Sequence, residues 1–138
     1  MTDYAEWTKN LVADIRANGR PTSGFFEGRP LMVLTTTGRK SGEPRSSVVS
    51  FSRDGDDYIV VGSKSGEPED PWWFTNLVAN PVVTVETDHK TLQARATVAE
   101  GADRDALWDR HVAEHPQFAE YPSKTDRIIP IARLTPIV

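Results

Sequence analysis

Gly38 to Arg45 read Gly-Arg-Lys-Ser-Gly-Glu-Pro-Arg and set three cationic side chains, Arg39, Lys40 and Arg45, within eight residues. The whole chain of 138 residues has a formal net charge of -4, so this concentration is local. Lys and Arg against Asp and Glu count +3 and -1 over residues 31–50, but +2 and -6 over residues 51–70. Like charges held this close repel one another, and a bound anion relieves them. Gly38 and Gly42 can adopt positive φ and turn backbone N–H groups outward, which makes the segment a candidate anion nest. A solvated hairpin loop is the competing reading.

A second cationic, glycine-bearing segment is Gly62-Ser63-Lys64-Ser65-Gly66, which leads into Pro71-Trp72-Trp73-Phe74-Thr75-Asn76-Leu77-Val78-Ala79. Asp70 as N-cap and Pro71 at the first helical position predict a short helix there, stopped by Asn80-Pro81. Its N-terminus offers free N–H groups, and Trp73, Asn76 and Leu77 lie on nearby faces. Two such strand ends and a helix N-terminus could hold a ligand with a planar ring and an anionic tail. Core packing of Trp72, Trp73 and Phe74 and a solvated Lys64 are the alternatives.

Other chemistries are poorly served. Gly38 to Gly42 has three residues between its glycines where a P-loop needs four, and no G-x-G-x-x-G fingerprint accompanies a βαβ unit. A serine nucleophile elbow is missing. With no cysteine there is no disulfide, thiolate metal site or Cys nucleophile. His111 and His115 stand at i, i+4, a spacing that could present two metal ligands, but an exposed or capping role is the expectation.

The elements that must position these residues are mostly strands. Tyr4, Trp7, Leu11 and Ile15 predict an amphipathic helix over residues 3–17, with Asp3 as N-cap and Asn18-Gly19 as its stop. Residues 19–30 are a loop in which Phe25 and Phe26 plug the core or line a pocket. Leu31 to Thr37, Arg45 to Ser52 and Tyr58 to Ser63 form a meander, and Val82 to Thr87 pairs with Thr91 to Val98 around Asp88-His89-Lys90. Asp103 to His115 is a helix ended by Pro116, and Ile128 to Leu134 a last strand. Six antiparallel strands in one domain of this length, residues 1–138, are best served by a closed or nearly closed barrel, because closure removes exposed edges.

Five ordered blocks carry a resemblance. They are Leu34 to Gly42 followed by Arg45, Gly62-Ser63-Lys64, Pro71 to Pro81, and Lys124-Thr125-Asp126-Arg127-Ile128-Ile129-Pro130-Ile131. In this order the chain resembles the deazaflavin-dependent nitroreductase family of actinobacteria. The resemblance implies a mainly β (α+β) split barrel that binds coenzyme F420, a deazaflavin with a phosphate and an oligoglutamate tail, and passes a hydride from its reduced form to an activated C=C, quinone or nitro acceptor. By the same carry-over Arg39, Lys40 and Arg45 take phosphate and carboxylates. Ser63, Lys64 and Asn76 fix the ring or its polyol chain, with Trp73 and Leu77 beside them, and Ser46 and Val48, on the strand after Arg45, offer backbone groups to the ring's polar edge. Trp7, Phe118 and Tyr121 surround the substrate, and Tyr121 could donate a proton.

Flavin mononucleotide chemistry on a related barrel is the runner-up, and a non-catalytic coenzyme carrier a third reading. A net negative chain without a long basic stripe is not expected to bind nucleic acid. Without an apolar leader or a 20-residue apolar run, a cytoplasmic protein is expected. The amphipathic N-terminal helix also allows a peripheral membrane contact, and the chain is expected as monomer or homodimer.

Overall fold

Alternating apolar residues and short polar turns give six strands, and they close on themselves. In the computed structural model, which describes residues 4–22, 27–28, 30–62, 72–116 and 129–137, the elements are α1 (Tyr4–Asn18), β1 (Leu31–Thr37), β2 (Pro44–Asp54), β3 (Asp57–Val61), α2 (Trp72–Ala79), β4 (Val82–Thr87), β5 (Lys90–Val98), α3 (Gly101–Glu114) and β6 (Ile131–Pro136). The closed barrel has the order β1-β2-β3-β6-β5-β4, all neighbours antiparallel. The expected mainly β barrel with its helices is what forms. Asp88 and His89, at φ 50° and 63°, make the tight two-residue turn that joins β4 to β5, so Lys90 belongs to the strand rather than to the turn.

Each helix completes one apolar cluster. Trp73, Phe74 and Leu77 of α2 enter the barrel interior with Met32, Leu34, Phe51, Val83 and Leu134. Burying such side chains contributes roughly 1.5–3 kcal/mol apiece. On the outside, α3 lays Leu107, Trp108 and Val112 on Ile59, Val61 and Ile131. Helix α1 lays Leu11, Val12 and Ile15 on Leu31, Val33 and Val48. The apolar side chains described in α1 therefore face the barrel, and nothing here supports the membrane contact. No described helix is long and apolar enough to cross a membrane.

Two sequence expectations are corrected. The last strand starts at Ile131 and runs to Pro136, not from Ile128 to Leu134. Pro130 lacks an N–H for a ladder, and its carbonyl instead accepts from the Gly62 N–H at 2.9 Å. His111 and His115 are not exposed but buried, at 0% and 2% exposure, with their rings 4.6 Å apart. His111 Nδ1 bonds Ser52 Oγ at 3.0 Å. His115 Nε2 donates to the Phe51 carbonyl at 2.9 Å. The Phe51 N–H donates to Pro30 O, and Pro30 has no N–H to return, so His115 supplies the donor that the proline withholds.

Candidate active site

The cationic turn spans Gly38 to Glu43, between the paired ends Thr37 and Pro44 of β1 and β2. Gly42 does take φ +72°, but Gly38 does not have positive φ. The Gly38 N–H donates to Glu43 O at 2.8 Å, the Gly42 N–H to Gly38 O at 2.9 Å, and the Glu43 N–H to Ser41 Oγ at 3.2 Å. The Arg39 N–H donates to Asn76 Oδ1 at 3.1 Å. These amides are spent inside the protein, so the expected nest is corrected. What the turn presents is side-chain charge.

Opposite the turn stands α2, whose 3.6-residue period separates two faces. Trp73 and Leu77, 7% and 1% exposed, point into the barrel. Trp72, Asn76 and Asn80 share the next face. Between turn and helix is a cleft of about 530 Å³, lined by Arg39, Lys40, Ser41 and Arg45 on one side and Trp72 and Asn76 on the other. Among the described residues, ion pairs form elsewhere, through Arg16, Arg20, Arg104, Arg110 and Arg133. The three cleft cations have no carboxylate partner there, and a concave wall of one sign concentrates field on an incoming anion.

Beside the cleft, β2 has an open edge. Strand β1 pairs with it over Pro44–Ser50, whereas β3 pairs with it only over Phe51–Asp54 among the described residues. Because the Phe51 N–H points to the β1 side, alternation turns the backbone groups of Ser46 and Val48 to the opposite, unpaired side. Their side chains lie on the outer face, where Ser46 Oγ meets Thr35 Oγ1 at 2.9 Å and Val48 packs near α1.

Of the residues the sequence singled out, Arg39, Lys40, Arg45 and Asn76 come together at one cleft, with Ser46 and Val48 on the adjoining edge. Trp73 and Leu77 are core residues that do not line it. Trp7 is in α1, with its side chain outside the described set, and Ser63, Lys64, Phe118, Tyr121, Asp70, Pro71, Phe25 and Phe26 lie outside the described residues. Trp72, 49% exposed at the cleft, went unselected. Its signal was the i, i+4 spacing to Asn76, which sets the two on one helical face.

Known proteins show the same combination. An F420H(2)-dependent quinone reductase of Mycobacterium tuberculosis (strain H37Rv) is 37% identical over 122 residues, covering 86% of this chain and 81% of the relative. A solved F420-H2 dependent reductase superposes with a TM-score of 0.71 at 39% identity, over 77% of this chain and 94% of its own. A second solved chain, described as a domain-swapped dimer, gives a TM-score of 0.73 at 34% identity, over 96% and 99%. None of these names supports the flavin mononucleotide reading. With residues 7–136 matching it, the chain belongs to the F420H(2)-dependent quinone reductase family, and it is an oxidoreductase that depends on the reduced deazaflavin.

Proposed function

We propose that the cleft between the Gly38–Glu43 turn and α2 takes the phosphate and oligoglutamate tail of F420, and that the chain delivers the coenzyme's hydride to a quinone. The observation that carries this reading is the trio Arg39, Lys40 and Arg45 around a cleft of about 530 Å³ with no carboxylate partner among the described residues. The group fits what is present: a polyanion for three unpaired cations, and a polar ring edge for the unpaired backbone of Ser46 and Val48. Charge-assisted contacts of this kind are short and strong where water is excluded. Trp72 supplies an aromatic wall, while Ser63 and Lys64 complete the hold on the ring or polyol chain. When bound, reduced F420 supplies the hydride.

The chain's own task is positioning and proton supply. A quinone that accepts a hydride needs one proton to become a hydroquinone. We assign that proton to the Tyr121 phenol, with Trp7 and Phe118 beside the acceptor. Nitro compounds and activated alkenes need the same hydride and proton and belong to the same acceptor class. The working unit is a monomer or a homodimer, and the relative described as a domain-swapped dimer supports the latter.

Oxidation of reduced F420 with a quinone acceptor, run beside NADPH without deazaflavin, tests the reading. Rapid turnover with reduced F420 alone is expected. Comparable turnover with NADPH alone contradicts it, and tight binding without turnover favours a carrier. Tyr121→Phe should lower kcat about ten- to a hundredfold with coenzyme affinity unchanged.

A further inference from the structure

Asn76 was expected to touch the coenzyme, but its amide is engaged with the protein. The side chain is 7% exposed, and both heteroatoms face β1 and the turn. Oδ1 accepts from the Arg39 N–H at 3.1 Å, which fixes the orientation of the amide, since a backbone N–H can only donate. Nδ2 then donates to Thr36 Oγ1 at 3.2 Å. Thr36 is 1% exposed and pairs with Arg45 across the ladder. One turn of helix later, Asn80 Nδ2 donates to the Thr37 carbonyl at 3.4 Å. One face of α2 thus grips the last two residues of β1 and the first cation of the turn.

We infer that Asn76 is a positioning residue: it acts through the Arg39 backbone to hold Arg39, Lys40 and Arg45 in the spacing that fits a polyanion, rather than by touching the coenzyme. This rests on the proposed seating of the F420 tail in the cleft. The physical need is plain. Three like charges on a short turn push it open when no anion is bound, and the amides closing the turn onto itself do not oppose a rigid swing of the whole turn away from α2. Only the bonds from Asn76 and Asn80 cross from turn to helix among the described residues. Asparagine suits the position because one planar group has both the acceptor that Arg39 needs and the donor that Thr36 can accept.

The test separates action through the turn from direct contact. Thr36→Val is nearly isosteric and alters a residue too buried to reach the coenzyme. Affinity is measured by fluorescence titration with F420 and with a deazaflavin lacking phosphate and glutamates, for wild type, Thr36→Val, Asn76→Leu and each combined with Lys40→Ala. Thr36→Val should weaken F420 about three- to tenfold and Asn76→Leu about ten- to thirtyfold, as expected for one and two lost hydrogen bonds. Both should leave the tail-less compound unchanged, and both losses should shrink in the Lys40→Ala background. Equal weakening of both ligands by Asn76→Leu, with Thr36→Val at wild-type affinity, overturns the inference. In coenzyme-free protein the Arg39 amide should exchange with solvent faster in both variants, and unchanged exchange also overturns it. If wild type fails to bind F420, the proposed seating fails, and the exchange rate alone decides whether the latch exists. Should Asn76→Leu not fold, Thr36→Val decides alone on the same readouts.

Discussion

At its far end, β2 is surrounded by charges that are all spoken for. Arg53 lies over the Tyr58 ring at 3.9 Å and donates to the Asp56 and Asp57 carbonyls. Arg133 bonds Asp54 at 2.9 Å, Asp57 at 2.8 Å and Asp103 at 3.3 Å, while Arg110 pairs with Asp54 at 3.2 Å. At its near end Arg39, Lys40 and Arg45 surround a cleft without a carboxylate partner among the described residues. The same residue types on one strand therefore do two jobs. Where α3 docks, opposite charges meet and the fold is the beneficiary. Where the turn faces α2, complementary charge is left for a ligand to bring.

The contrast can be broken by changes that move stability and coenzyme affinity separately. The largest effect is expected for Arg133→Met, which leaves Asp54, Asp57 and Asp103 with Arg110 as their remaining ion-pair partner among the described residues. It should cost about 2–4 kcal/mol in a denaturant titration, with F420 affinity of the folded fraction unchanged. Lost affinity at full stability would mean that the two ends are not independent.

A smaller effect sharpens the α3 side. Burial, and after it repulsion from a charged His115, holds His111 down to about 3 against the ordinary 6.5. A histidine whose folded value is depressed binds more protons when unfolded, so its neutral state supports the fold above pH 6.5. That support is lost as pH falls toward about 3. Stability should drop by about 1.4 kcal/mol per pH unit below 6.5 from this group. Denaturant midpoints at pH 7 and pH 5 should differ clearly in wild type and far less in His111→Asn; equal pH slopes would remove His111 as the cause. The smallest effect belongs to the cleft: Lys40→Ala without coenzyme should change stability by no more than about 0.5 kcal/mol. A larger loss would make Lys40 a structural residue like Arg133.

Local signals and distant partners explain what the sequence did and did not disclose. The β1 to β3 meander and the β4–β5 hairpin were legible because alternating apolar residues and turn residues act over a few positions. The cationic turn was legible as charge, since three cations in eight residues need no structure to be counted. Its backbone was not, because the Arg39 N–H is taken by Asn76, which lies 37 positions away. Trp72 and Trp73 are adjacent and of one type, and only the way α2 enters the barrel decides which is core and which is cleft. The histidines were misjudged for the same reason. Ser52 and the carbonyl of Phe51, left without a proline donor, are non-local partners that turn a polar pair into a buried one. Ile128-Ile129 look like the start of a strand, but Pro130 delays the ladder until Ile131.

The central claim is that the free charge of the Gly38–Arg45 segment is held for the coenzyme tail. Fluorescence titration of F420 against wild type and Lys40→Ala at low and high salt tests it most directly. Lys40→Ala should weaken binding about five- to a hundredfold, Lys40→Glu should weaken it further, and added salt should weaken wild type more than Lys40→Ala, since exposed pairs are screened within about 10 Å at 0.1 M. Equal affinities for wild type and Lys40→Ala at both salt concentrations would contradict the claim and remove the turn from the site.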